Sequence, residues 1–210
     1  MNRKERAILV QKILRDYFPN PSIPLRFSSN YTLLIAVILS AQCTDARVNQ
    51  VTPLLFAKAS TPEQMIRLSI DEIAEIIRPC GLFNGKAKSI HALSQILVDK
   101  YNGQVPDNRE SLQKLPNVGR KTASVILSQA FHIPAFPVDT HIHRCAKRWG
   151  LSCGKSVLQT ELDLTNLFRK EDWNLLHLQM IYFGREFCRS KKHLCVQCPI
   201  CSKLDHNFDC

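Results

Sequence analysis

The segment best suited to chemistry is residues 115–123, whose pattern indicates a helix, a tight glycine-containing turn and a second helix. Such a turn leaves the first backbone N–H groups of the second helix unpaired, and with the positive end of the helix dipole they can bind a phosphate. We expect Gly119 to take a positive φ or to let a ligand approach the backbone closely. An ordinary helical hairpin would show the same pattern, so both interpretations stay open on this motif alone.

Lys121 and Asp139 are the candidate reactive residues in and after this hairpin. Lys121 falls in the first turn of its helix, where the helix dipole disfavours a cation. We expect the unpaired N–H groups and partial burial to lower the pKa of its amine, which leaves some neutral amine as a nucleophile. Asp139 directly precedes the next predicted helix, so its carboxylate can serve either as a helix N-cap or in the reaction.

The cysteines form a second candidate site. Five of the nine lie near the C-terminal end, and a cytosolic chain with clustered cysteines favours metal binding over disulfides. These five are Cys188, Cys195, Cys198, Cys201 and Cys210. The other four are scattered and are interpreted as small buried hydrophobic residues. Spacing alone leaves zinc and an iron–sulfur cluster equally open, since Cys195-x2-Cys198 suits both.

Composition narrows the class of partner. The chain has 210 residues and a formal net charge of +10, with a pI near 9.3. This charge favours an anionic partner such as nucleic acid, although it also suits a basic protein that merely stays soluble. No apolar run approaches the roughly 20 residues of a membrane-spanning helix. Residues 1–20 lack the pattern of a secretory signal, so we expect the protein in the cytoplasm, associated with the nucleoid if it is bacterial.

The elements that must position these residues are helices. Apolar residues recur at helical spacing along the chain, and no segment alternates with period two for more than a few residues, so we predict an all-α fold. Prolines at 19–24 and 134–137 are the natural lobe boundaries. The predicted helices cover residues 3–17, 31–40, 45–57, 86–101, 109–115, 120–131, 140–149, 156–169 and 171–187, with N-caps at Thr61 and Ser69 opening two more between residues 61 and 80.

Several motifs together carry a family resemblance. Leu-Pro-Asn-Val-Gly-Arg-Lys-Thr-Ala at 115–123, followed by Val-Asp-Thr-His-Ile-His-Arg at 138–144, resembles the helix-hairpin-helix and Asp signature of base-excision DNA glycosylases. Residues 39–45, residues 81–87 and the cysteine tail resemble the endonuclease III family in the same order. The resemblance covers nearly the whole chain.

The resemblance implies a fold and an activity. The fold would be two-lobed and all-α, with a helical bundle over residues 22–133 and an iron–sulfur lobe joining residues 1–21 to 134–210, the cluster loop being 188–210. The function would be base-excision repair by a monomer that releases oxidised pyrimidines from double-stranded DNA as an N-glycosylase and cleaves abasic sites as a lyase. A non-catalytic DNA-binding module and an iron–sulfur redox protein are the alternatives.

The resemblance also implies a role for each candidate residue. Lys121 would form a Schiff base with the sugar, and Asp139 would stabilise the positive charge that develops when the base leaves. Gln42 and Leu82 would fill the space that the flipped nucleotide vacates. Further DNA contacts are expected from the hairpin, from the helix after Asp139 and from the basic cluster loop: Val118, Gly119, Arg120, His141, Arg144, Arg189, Lys191 and Lys192.

The implied cofactor is a [4Fe–4S] cluster. Cys188-x6-Cys195-x2-Cys198 matches the first three ligands of the family, but the position of the fourth falls on Leu204. Cys201 is favoured over Cys210 as the replacement, because ordering costs most at a chain terminus. A cluster held by three ligands stays open.

Overall fold

A computed structural model describes residues 1–191 and 193–204. Within these residues the chain consists of helices and connecting segments with no β-strand, which confirms the all-α fold class. The α-helices of the described chain are α1 (Arg3–Tyr17), α2 (Asn30–Leu39), α3 (Asp45–Lys58), α4 (Pro62–Met65), α5 (Ile70–Ile77), α6 (Phe83–Tyr101), α7 (Arg109–Gln113), α8 (Arg120–Ala130), α9 (Thr140–Arg148), α10 (Val157–Leu167) and α11 (Trp173–Glu186). No helix in the described ranges has the length and apolar character needed to span a bilayer.

The chain divides into two compact units. One is Pro24–His132, which contains α2 to α8, and the other joins Met1–Ile23 to the chain from Ile133 onward. Each unit has its own packed interior, which is the usual requirement for a separate domain.

Helix α2 is the central element of the Pro24–His132 unit. Every residue after the first is buried, including the large side chains of Leu33, Leu34 and Ile38. A helix that is apolar on all sides is stable only when other helices cover it on all sides. Ser29 caps its N-terminus by accepting a hydrogen bond from the Thr32 amide.

Local sequence signals set most helix starts. Thr61 caps α4 ahead of Pro62 in the first helical position, as the sequence predicts. Ser69 and Glu72 form the expected capping box of α5, with the Ser69 amide donating to the Glu72 carboxylate at 2.7 Å. These bonds hold the pKa of Glu72 below its ordinary value.

The region between α5 and α6 differs from the prediction. Helix α5 stops at Ile77 and a short 3₁₀ turn, Arg78–Cys80, follows it, because a proline at position 79 has no N–H to continue the α-helix. Helix α6 begins at Phe83, three residues earlier than the apolar spacing predicts. Leu82 therefore lies at the N-cap of α6.

The second unit is built around aromatic side chains. Trp149 and Phe183 are fully buried and meet edge to face, with ring centroids 5.6 Å apart. Helices α1, α9, α10 and α11 contribute the surrounding apolar residues. Three cysteines of the C-terminal segment, Cys188, Cys198 and Cys201, are buried in the same core.

Candidate functional site

The predicted hairpin is present in the Pro24–His132 unit as α7, a turn and α8. Leu115 and Val118 anchor the turn in the core, and the Val118 amide donates to the Leu115 carbonyl at 3.2 Å. The guanidinium of Arg109 on α7 donates to Ser124 Oγ on α8 at 2.8 Å. The two helices are therefore held together by a polar contact as well as by apolar packing.

The turn places its positive φ at Asn117, not at Gly119. Asn117 has φ 62°, whereas Gly119 has φ −84° and ψ −179°, an extended conformation open to any residue. The expectation of a positive φ at Gly119 was wrong because asparagine, which tolerates the left-handed region, precedes it in the turn. The alternative reason for glycine agrees with the structure, since a Cβ at Gly119 would meet nothing within 4 Å. Open space there lets a ligand approach the backbone.

Helix α8 has an N-terminus without a side-chain cap in the described part of the chain. Gly119 is its N-cap residue. Lys121 is the second residue of α8 and is exposed. The expected partial burial of Lys121 was therefore wrong, because the turn directs the first residues of α8 outward. Lys121 thus belongs to the first turn of a helix whose N-terminus has no side-chain cap among the described residues, and such an N-terminus is suited to hold a phosphate.

A cavity of about 620 Å³ lies in the same unit and is lined by Gln42, Leu82 and Asn117 among others. These three residues have positive φ values of 53°, 49° and 62°. The left-handed conformation costs a non-glycine residue about 1–2 kcal/mol, so the surrounding structure must hold it in place. Gln42 is exposed and Leu82 is 64% exposed. The structure thus brings together the two residues expected to fill a DNA stack.

In the other unit, Asp139 is the N-cap of α9. Its Oδ1 accepts hydrogen bonds from the amides of His141 at 2.9 Å and Ile142 at 2.8 Å. Oδ2 takes no part in this cap. The carboxylate is half-buried and fixed in orientation, so the capping role is present and leaves one oxygen for another partner.

Arg144 and His141 belong to the same end of this unit. The Arg144 guanidinium donates to the carbonyls of Gly184 at 2.9 Å and Cys188 at 2.9 Å, and it approaches His141 Nδ1 at 3.2 Å. Burial lowers the pKa of His141, Arg144 adds to the effect and Asp139 opposes it. Arg144, expected as a DNA contact, is thus engaged in joining α9 to the end of α11.

The cysteine tail forms a compact group of metal-ligating atoms. The ligand atoms of Cys188, His193, Cys198 and Cys201 all lie within 4.8 Å of one another. Cys188 accepts hydrogen bonds from neighbouring thiols, of which Cys145 contributes most, and these lower the pKa of Cys188. Three thiols and an imidazole are donors that iron–sulfur clusters and zinc both use. The site fits an iron–sulfur cluster.

The surroundings of this group also fit a bound metal group. Both ring nitrogens of His193 are buried and have no hydrogen-bond partner within the described residues. The Cys201 amide donates to Cys198 Sγ at 3.5 Å, and Arg148 Nη1 donates to Cys188 Sγ at 3.6 Å. Such donors stabilise thiolates that bind a metal.

The other candidate residues of the cysteine tail that the structure describes are exposed, unlike the buried cysteines. Cys195 is exposed and lies outside the group of four ligand atoms. Arg189 and Lys191 are exposed, as expected for residues that contact a phosphate backbone. Lys192 and Cys210 lie outside the described residues.

Two residues at these sites escaped prediction from the sequence. His193 carries no local signal beyond its position between two candidate cysteines, which a search for mixed Cys and His spacings would have found. Lys86 is buried, and its partners lie up to 47 residues away in the chain, so no local pattern reveals them.

Comparison with known proteins places this geometry in context. Residues 35–170 match the family described as HhH-GPD superfamily base excision DNA repair protein. The chain is 43% identical over 203 residues to endonuclease III of Bacillus subtilis (strain 168), covering 96% of this chain and 92% of that protein. It is 41% identical over 200 residues to endonuclease III of Escherichia coli (strain K12), covering 95% and 94%.

Solved structures give the same result. A trapped endonuclease III–DNA covalent intermediate, an estranged-adenine complex, matches with a TM-score of 0.91 and 44% identity over 95% of this chain and 94% of that one. A thermostable thymine-DNA glycosylase matches with a TM-score of 0.80 and 26% identity over 94% of each chain. With a family match over more than half of its length and relatives above 40% identity over nearly all of it, this chain belongs to the HhH-GPD superfamily of base excision DNA repair proteins.

Proposed function

We propose that this protein is a bifunctional DNA N-glycosylase and abasic-site lyase that removes oxidised pyrimidines from double-stranded DNA, acting as a monomer in the cytoplasm or on the nucleoid. The observation that carries the proposal is the exposed Lys121 amine beside an open helix N-terminus, in a chain that matches a trapped endonuclease III–DNA covalent intermediate along nearly its whole length. A covalent intermediate requires a nucleophile, and an exposed amine next to a phosphate site is suited to that role.

The first step is release of the damaged base. Breaking the N-glycosidic bond places positive charge on the sugar, and a fixed carboxylate stabilises such a transition state. Asp139 supplies this carboxylate, because its Oδ1 is fixed by two backbone donors and Oδ2 takes no part in the cap. The electrons of the broken bond leave with the base.

The second step is cleavage of the strand. The Lys121 amine attacks the cationic C1′ and gives up a proton, and the C1′–O4′ bond then breaks as O4′ takes up a proton, which leaves a Schiff base on the opened sugar. At a preformed abasic site the amine condenses with the C1′ aldehyde instead, and one water is lost. The iminium acidifies a 2′ proton, and its removal expels the 3′ phosphate by β-elimination. Hydrolysis of the imine then returns the free amine. The N-terminus of α8, which has no side-chain cap among the described residues, holds a phosphate of the same strand together with Val118, Gly119 and Arg120.

Both steps require the lesion outside the helix stack. Flipping a nucleotide costs a few kcal/mol, less for a damaged base, and side chains that occupy the vacated space offset this cost. Gln42 and Leu82 serve this purpose, since both are exposed at one cavity and are held in conformations that free residues avoid. Further contacts to the DNA come from His141, Arg189, Lys191 and Lys192. Arg144 positions His141.

We also propose that the cysteine group holds a [4Fe–4S] cluster. Cys188, Cys198 and Cys201 supply three thiolates, and Cys201 takes the role expected of it over Cys210 because it lies with the other two ligands in the core. When bound, such a cluster crosslinks its loop to the end of α11, which adds folding energy to this unit.

The fourth position has two candidates. Buried, unpartnered ring nitrogens support His193, while the family spacing supports Cys195, whose side chain is exposed. Bound iron, zinc and sulfide are measured in His193→Ala and Cys195→Ser, with Cys210→Ser as the control. We expect His193→Ala to lose iron and the brown absorbance and Cys195→Ser to retain both. Loss of iron in Cys195→Ser alone would assign the fourth ligand position to Cys195. Stoichiometric zinc without sulfide would reject the iron–sulfur cluster.

A strand-cleavage assay tests the function as a whole. Duplexes carrying a single thymine glycol, uracil or abasic site are incubated with the purified protein. We expect cleavage at thymine glycol and at the abasic site, with release of the free base from the former. Binding without cleavage of any duplex would favour a DNA-binding module or a redox protein instead.

A further inference from the structure

The Lys86 ammonium is buried where two loops of the Pro24–His132 unit come together. Only 3% of the residue is exposed. Its Nζ donates three hydrogen bonds, to the carbonyls of Leu39 at 2.9 Å, Ala41 at 2.8 Å and Cys80 at 2.9 Å. All three donors of the ammonium are therefore used, and each bond ends on backbone rather than on a side chain.

The three carbonyls belong to chain segments that end helices. Leu39 is the last residue of α2, Ala41 lies in the turn that follows it, and Cys80 ends the 3₁₀ turn Arg78–Cys80. Carbonyls at helix ends lack partners within the helix and carry the negative end of its dipole, so they suit a cation. Within the described residues no carboxylate pairs with Lys86. Burial lowers the pKa of its amine, and the pKa of the nearby Cys80 thiol is raised to about 11, mainly by burial.

Each bonded segment leads directly into one of the residues expected to enter the DNA. Ala41 precedes Gln42, and Cys80 lies two residues before Leu82. Gln42 and Leu82 both have positive φ, a conformation that persists only when the surrounding structure holds it. The Lys86 ammonium bonds to the backbone of both segments, which are also linked by a hydrogen bond between the Cys43 and Cys80 thiols.

We propose that Lys86 is a positioning residue for DNA strand opening, which joins the Gln42 and Leu82 segments so that both side chains enter the duplex as one unit. This inference rests on the proposed function. Lys86 acts through the two entering residues and does not touch the reacting atoms. A lysine suits the task because a single compact ammonium with three donors can join three carbonyls that face one point.

The test compares Lys86→Met with Lys88→Met, a matched control at an exposed position of the same helix. Strand opening is followed by the fluorescence of 2-aminopurine placed opposite a thymine glycol, and base release is measured under single-turnover conditions. We expect Lys86→Met to slow both by about tenfold to a hundredfold, the loss typical of a small misplacement of a positioning group. Lys88→Met should match the wild type.

A second substrate separates positioning from general damage to the fold. A duplex with an abasic site has no base to extract, so its cleavage should fall much less in Lys86→Met than release of thymine glycol. Lys86→Met should also have little further effect in a protein that already carries Gln42→Ala and Leu82→Ala, because the effects of substitutions at interacting residues do not add. Equal loss on both substrates, or a full additional loss in that background, would overturn the proposal.

Two controls keep the result decisive. If Lys86→Met does not fold, Lys86→Gln, which retains an amide donor on a shorter side chain, replaces it in the same comparisons. Lys86→Arg should recover part of the opening rate, because it restores a cation with several donors. Absence of base release by the wild-type protein would reject the proposed function. Normal opening by Lys86→Met, with release by the wild type intact, would reject only the role of Lys86.

Discussion

The nucleophilic role proposed for Lys121 depends on the exposure of its side chain. Lys121 is exposed at the second position of α8, whose N-terminus has no side-chain cap among the described residues. Borohydride reduces a Schiff base to a stable amine, so it should trap the wild-type protein on lesion DNA. Lys121→Gln should give no adduct, because an amide cannot form the imine. Gel electrophoresis of the trapped complex measures this, with Lys88→Gln as an exposed lysine control. Undiminished trapping by Lys121→Gln would assign the nucleophile to another amine.

Asp139 caps α9 through one oxygen of its carboxylate, and the chemical role proposed for it falls to the other. In Asp139→Asn the amide oxygen can still accept from the His141 and Ile142 amides, so the cap and the fold should be kept. The charge is lost, and we expect the rate of base release to fall by about two to three orders of magnitude. Lesion binding should change little.

The measurement for Asp139 pairs single-turnover base release with equilibrium binding to the lesion duplex. Thermal unfolding of the same variant shows whether the cap is intact. Near-normal base release by Asp139→Asn would mean that Asp139 acts only as the cap of α9.

At the scale of elements, the loop after α11 carries the charge expected to meet the DNA backbone. Arg189 and Lys191 are exposed, and Lys192 adjoins them in sequence. Changing all three to alanine should weaken binding to damaged and undamaged duplex alike. The slope of log K against log salt should fall by up to about three, since each lost phosphate contact releases about one counterion fewer. Weakening confined to the lesion duplex would show that the loop recognises the lesion.

The elements also show where prediction from sequence succeeds. Helix starts at Thr61 and Ser69 were predicted correctly because each cap depends on residues within one turn. The burial of α2 followed from its apolar sequence alone. The capping residue and the amide that it bonds lie within one turn of each other, so the prediction holds in any fold that keeps the helix.

Other features could not be predicted because distant residues determine them. Gln42 and Leu82 have a positive φ although glutamine and leucine normally avoid one, and no neighbouring residue in the sequence predicts this conformation. In the sequence Lys86 resembles any lysine near a helix start, and only the fold brings three backbone carbonyls to its ammonium. The exposure of Lys121 and the backbone conformation of Gly119 likewise depend on how the hairpin packs.

At the scale of the whole molecule, the two units differ in what holds them together. The core of the unit that contains α1 includes Cys188, Cys198 and Cys201 beside residues such as Val10 and Trp149. Removal of iron by a chelator should therefore lower amide hydrogen-exchange protection in α1 and α9 to α11. Helices of Pro24–His132 should keep most of their protection. A uniform loss across both units would mean that the metal site stabilises the chain as a single cooperative body.

Helix α9 has a mechanical consequence for the carboxylate at its start. Arg144 at the middle of α9 bonds to the carbonyl of Cys188, Arg148 at its end bonds to the Cys188 thiol, and Asp139 caps its first turn. The helix is nine residues long and stiff, so a tilt at the end near the cysteine site also moves the end that Asp139 caps. Tilting a rod of about 13 Å by about 5° moves its far end by about 1 Å. We therefore expect a displacement of the loop at Cys188 to shift the Asp139 carboxylate as well, because α9 links the two.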